Sequence, residues 1–154
     1  ERITGARVVV KLHPHGAEKE QAYALAMRDC CADVVVTRDL PLLDLIELSS
    51  CVIVHSSSVG FEAAAMRKPV IVADLFDVAS HLPFATEGVA IRASDEGSMY
   101  LAITAALGDW PVSDADYAAF DERYHYGLGG GSADRIANVV EELARVNSGR
   151  GAER

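Results

Sequence analysis

CVIVHSSSVGFEAAAMRKPVIVAD, residues 51–74, decides the fold. A β-branched apolar run, Cys51 to His55, delivers three hydroxyls and a glycine (Ser56, Ser57, Ser58, Gly60) to an Ala-rich helical stretch reaching about Arg67. A second apolar run, Pro69 to Ala73, follows at once. Neither run alternates apolar with polar residues, so both read as strands covered on two faces. Strand, helix and strand in that order form the crossover unit of a parallel sheet.

Reading outward extends the alternation in both directions. Upstream, Arg7 to Leu12 (RVVVKL) is a strand ending in the loop His13-Pro14-His15-Gly16. Ala17 to Cys31 carries no breaker and reads as a helix, Asp33 to Thr37 (DVVVT) as a strand, and Pro41 to Leu48 as a short helix opened by its proline. Downstream, Asp74 to Thr86 reads as a loop, and Gly88 to Ala93 as a weaker strand. Ser94-Asp95 caps a helix to Leu107, and Ser113 to Tyr124 forms a further helix with Tyr117 and Phe120 inward. After the glycine cluster Gly127 to Gly131 comes an amphipathic helix, Ser132 to Val146. The expectation is one Rossmann-like, doubly wound α/β domain over residues 1–146, with about five to six parallel strands, helices on both faces, and a flexible tail at 147–154.

Composition narrows the function. The formal charge of −9 over 154 residues argues against a grip on nucleic-acid backbone, so any phosphate must be held by locally aimed donors. No apolar run is long enough to cross a membrane. Three cysteines, two of them adjacent (Cys30, Cys31), make no disulfide framework and fit a cytoplasmic protein with reduced thiols.

Ligands of doubly wound sheets bind at the carboxyl ends of the strands, which selects the loops at His13–Gly16, Arg38–Leu40, His55–Gly60 and Asp74–Pro83. At the third of these, small hydroxyl side chains precede a helix start, where N–H groups and the helix dipole favour an anion. Gly60 would let a phosphate approach the backbone, and Glu62, on the first turn, is placed to accept from a ribose diol. The competing reading makes the serines plain helix caps and Glu62 a complement to the dipole.

Three groups of residues resemble the C-terminal nucleotide-binding half of GT-B-type enzymes acting on nucleotide-activated sugars or polyols. Ser56 to Pro69 is similar to the Ser-Gly-Gly-x-x-Glu-Glu…Leu-Gly-Lys-Pro segment of non-hydrolysing UDP-N-acetylglucosamine 2-epimerases, with Ser56, Glu62, Lys68 and Pro69 in register. The same stretch resembles the Ser-Ser-Val segment of polymerising glycerophosphotransferases and capsule-type glycosyltransferases. VVVKLHPHG resembles the strand and His-Pro loop of those transferases, and Tyr126-Gly127 with Ser132…Arg135-Ile136 resembles their closing Tyr-Gly-Asp-Gly…Arg-Ile element. His55 stands where many members carry Asp, and Leu128 where Asp is usual.

The resemblance implies a domain that binds a nucleotide-diphosphate sugar or a CDP-polyol. Ser56, Ser57 and Ser58 would hold the diphosphate, with Gly60 beside them and Glu62 on the ribose; His15 and Arg38 are further nucleotide candidates. His13 is the candidate catalytic histidine, and Asp77 and His81 the donor-sugar loop. The implied ligand is a UDP- or CDP-type nucleotide sugar, with no metal or other cofactor. The implied partner is an N-terminal GT-B domain, with a homodimer left open. The expected setting is the cytoplasm, or the membrane periphery as part of a longer enzyme. A 2-epimerase half and a non-catalytic nucleotide-binding module are the alternatives.

Three further readings concern single residues. Ser56-x-Ser58-x-Gly60 also resembles the nucleophile elbow of serine hydrolases, with Asp77 and His81 as acid and base. Against it, a serine replaces the first elbow glycine, and only two strands precede the motif. Arg92 reads as a solvated cation and His125 as a structural histidine.

Overall fold

Val70, Ile71 and Val72 are completely buried, at the middle of the ladder that organises the chain. In this computed structural model the structure describes residues 6–13, 20–30, 33–76, 82–126 and 129–151. The strands are β1 (Val8–Lys11), β2 (Val34–Thr37), β3 (Val52–Val54), β4 (Val70–Ala73) and β5 (Ala90–Ala93). Every pairing among them is parallel, as the unbroken apolar runs required. They fall into two ladders, β1–β2 and β3–β4–β5, and no ladder joins β1 to β3 among the described residues. The chain is therefore an α/β protein with Rossmann-like alternation, divided where one continuous sheet was expected.

Helices cover both faces of the second ladder. On one side Val70 and Val72 meet Ala63 and Ala64 of α3 (Val59–Ala65), Phe84 of α4 (Pro83–Thr86), and Tyr117 and Phe120 of α6 (Asp114–Phe120). On the other, Ile71 and Ala93 meet Ala102 and Ala106 of α5 (Glu96–Leu107). The period-two alternation along β4 thus sends side chains into two separate cores. The remaining helices are α1 (Glu20–Cys30), α2 (Leu42–Leu48) and α7 (Ser132–Gly151), and α7 continues past the Val146 expected as its end. The stretch read as loop up to Thr86 contains α4, which starts on Pro83.

Helix ends follow local chemistry. The Asp95 carboxylate accepts from the Ser98 N–H at 2.7 Å while the Ser98 hydroxyl serves the Asp95 N–H at 3.0 Å, a closed capping box at the start of α5. The Ser98 N–H first, and second the Ser98 hydroxyl, which lies 2.8 Å from Asp95 Oδ1, hold the Asp95 carboxyl below the usual carboxylate range. A carboxyl depressed on folding contributes stability above its unfolded value and loses it as the pH falls through the folded one. Asp95→Ala should accordingly lower the melting temperature at neutral pH, and the gap to wild type should close on acidification. Scanning calorimetry of both proteins across the acid range checks this.

At the other end of α3, Arg67 takes a left-handed conformation (φ 59°). Its N–H bonds the Ala64 carbonyl and that of Lys68 bonds Ala63, a Schellman stop with arginine where glycine is usual. The backbone cost is offset by what the side chain reaches. The Arg67 guanidinium lies 2.6 Å from the buried Asp121 carboxylate and stacks 5.2 Å from the centre of the Tyr117 ring. Asp121 opens a π-helical turn, Asp121–His125, that continues α6, and its second oxygen bonds His125 Nδ1 at 2.8 Å. His125 is structural in this respect, as expected.

Candidate nucleotide site at the carboxyl ends of the strands

The loop leaving β3 is built by its own hydroxyls and by one interstrand bond. Ser57 Oγ accepts from the Val59 N–H at 3.3 Å and so caps α3, whereas Ser58 makes no side-chain capping bond. Ser56 and Ser58 are exposed. The Gly60 and Phe61 N–H groups turn back onto the carbonyls of Ser57 and Ser58, at 3.4 and 2.9 Å. The capping reading therefore holds for Ser57, and the exposed hydroxyls of Ser56 and Ser58 are the donors presented outward. Glu62 stands exposed on the first turn of α3, where the sequence placed it.

Gly60 has a packing role that its local sequence does not show. A Cβ on Gly60 would lie 2.5 Å from the ring of Phe84, far inside contact distance. The missing side chain makes room for a fully buried aromatic. Ser58, at φ −63° and ψ −13°, has ordinary helical backbone, without the strained turn of a nucleophile elbow.

Two features of this edge escaped the sequence. His55 Nδ1 donates to the Ala73 carbonyl at 2.8 Å, tying the end of β3 to the end of β4 and leaving Nε2 as the ring's other polar atom. Phe76, 77% exposed, sits edge-on to that ring at 6.3 Å. An aromatic residue in the loop after β4 was the available signal. The neighbouring Asp74 is buried, and its carboxylate pairs with Arg92 at 2.6 Å. Arg92 is exposed, as its solvated reading expected, and the pair it also makes joins the ends of β4 and β5.

His13 and Arg38 follow β1 and β2 on the other ladder. The Leu12 N–H bonds the Thr37 carbonyl at 2.9 Å, which sets the residues after both strands side by side. His13 is exposed, and Arg38 Nε lies 3.6 Å from Asp39, while its carbonyl accepts from Lys11 Nζ at 2.6 Å. The structure brings together Ser56, Ser57, Ser58 and Glu62 as one group, and His13 with Arg38 as another. His15, Asp77 and His81 lie outside the described residues. No metal-binding cluster of His, Cys, Asp or Glu occurs among the described residues, and none of the described helices is long and apolar enough to cross a membrane. Cys51 packs against the α5 core, and burial pushes its thiol up, away from reactivity.

The profile of the family described as capsule polysaccharide biosynthesis protein matches residues 1–77. The chain belongs to this family. The matched half carries β1 with the His13 loop, β2 with Arg38, and the whole unit from β3 through Ser56–Ser58 and Glu62 to β4. Membership assigns the protein to the synthesis of surface polysaccharide. No curated protein and no solved structure was found to match the chain.

Proposed function

We propose that this capsule-family chain binds the nucleotide-diphosphate-sugar donor, of UDP or CDP type, of a GT-B-type glycosyltransferase. The observation that carries the reading is that the family match spans the loops that present Ser56, Ser58, Glu62, His13 and Arg38 at strand carboxyl ends. Ser56 and Ser58 donate to the diphosphate, Glu62 accepts from the ribose diol, and the exposed Phe76 offers a face for base or sugar. Transfer releases the nucleotide with its terminal phosphate as the leaving anion, and hydroxyl donors on the loop that enters a packed helix stabilise the charge that develops on it. His13 is placed to handle the acceptor proton. GT-B enzymes react substrates in the cleft between two such domains, so this reading includes a partner domain that brings the acceptor. Capsule-family membership supports transfer over the 2-epimerase alternative.

Glu62→Gln tests the assignment. Loss of one charged hydrogen bond should weaken a ribonucleoside diphosphate tenfold to about a hundredfold without altering the melting temperature. Unchanged affinity by calorimetry would remove Glu62 from the site.

A further inference from the structure

Beyond the nucleotide site, an open groove of about 610 Å³ runs between the π-helical turn and the start of α7. Its polar lining comes from Arg123, His125, Tyr126, Ser132 and Arg135, with Ile136 at its side, and among the described residues no carboxylate lines it. That is unusual in a chain of net charge −9. Two acids that contact the lining residues are already engaged. Glu87 accepts from Arg123 at 2.8 Å and from the Tyr124 hydroxyl at 2.9 Å, and Asp121 is held between Arg67 and His125. Glu122, exposed on the π-helical turn, and Asp134, on the first turn of α7, are further acids on these elements, and neither is among the groove's lining residues.

The lining is also prearranged. Arg135 bonds the Gly130 carbonyl at 2.7 Å and the Ser132 hydroxyl at 2.8 Å, and its guanidinium lies 4.1 Å over the Tyr126 ring. Two of its donors are thereby spent on holding the plane in place, and the others remain for a ligand. The Asp121 bond fixes the His125 ring through Nδ1, and its edge contact with Phe61 (6.0 Å) ties the groove wall to α3, next to Glu62.

We propose that this groove binds an acidic saccharide, a carboxylate on Arg135 and a ring face on Tyr126. Planar guanidinium groups match carboxylates in a way that point charges do not, and an aromatic face in an open groove suits a sugar ring within a longer chain. The saccharide class rests on the capsule-synthesis reading, while the anionic requirement rests on the lining alone.

Titration of the whole chain with tetragalacturonate, maltotetraose, inorganic phosphate and a nucleoside diphosphate, followed by NMR, tests it. Tetragalacturonate should shift the signals of Tyr126 and Arg135 and leave those of Ser56 to Glu62 in place. Maltotetraose and phosphate should leave the groove unmoved. Ile136→Glu adds a carboxylate at a position 65% exposed and should weaken tetragalacturonate at least tenfold with the melting temperature and nucleotide affinity unchanged. Equal shifts from maltotetraose, groove shifts from phosphate alone, or undiminished affinity in Ile136→Glu would each overturn the proposal. Failure of the nucleotide reading shows separately, as absent nucleotide shifts at Ser56 to Glu62.

Discussion

Gly60→Val is expected to destabilise the protein by about 3 kcal/mol, the upper end of what forced overpacking costs. A Cβ there meets three atoms of the Phe84 ring at 2.5, 2.7 and 2.8 Å, and Phe84 is fully buried between α3 and the β3–β4–β5 ladder. Neither partner has space to yield, because Gly60 belongs to a helix packed on β3 and β4. Phe84→Ala alone should cost about 3–5 kcal/mol through the cavity it leaves. In that background Gly60→Val should cost far less, since the branched side chain then enters a void. Denaturant unfolding of the two single variants and the double gives the coupling directly. Simple addition of the two costs would contradict the contact.

Asp121→Ala should cost about 3 kcal/mol, the lower end for breaking a buried ion pair, because the Arg67 side chain is 40% exposed and can rehydrate. The loss has three parts. Arg67 keeps a left-handed backbone without the ion pair that offsets it, His125 loses the acceptor that orients its ring, and the π-helical turn loses its anchor to the end of α3. Arg67→Gly should be milder than Asp121→Ala, since glycine removes the backbone cost while removing the same ion pair. Thermal unfolding of the two variants checks the order, and a greater loss in Arg67→Gly would reverse the explanation.

These two predictions mark where the sequence was legible and where it was not. The strands were readable because VVVK, VIV and VIVA are β-branched apolar runs without alternation, the pattern of parallel strands, although only VIVA is buried on both faces and Val8, Val9 and Ile53 are exposed. Asp95 was readable as a cap because its chemistry is local, with Ser98 three positions on. The packing reason for Gly60 was not, because Phe84 lies on another element inside a stretch that read as loop. Arg92 and Asp74 pair across neighbouring strands, and nothing in either one's local sequence shows the other. The division into two ladders likewise depends on long-range registration, which strand propensity does not encode. At the site itself, the serine run and Glu62 were legible as residues on a helix start. The anchoring of His55 on the Ala73 carbonyl was not, although its position at a strand end was.

Calorimetric titration of the wild-type chain with a ribonucleoside diphosphate (UDP and CDP in turn), its 2′-deoxy counterpart and inorganic pyrophosphate tests the donor-site claim most directly. Serine hydroxyls on the diphosphate and Glu62 on the diol require both halves of the ligand. Affinity should therefore fall at least about tenfold on losing the 2′-hydroxyl, and further with pyrophosphate alone. Equal affinity for all three ligands would contradict the assignment of Glu62 to the ribose, and no binding of any of them would contradict the nucleotide site itself.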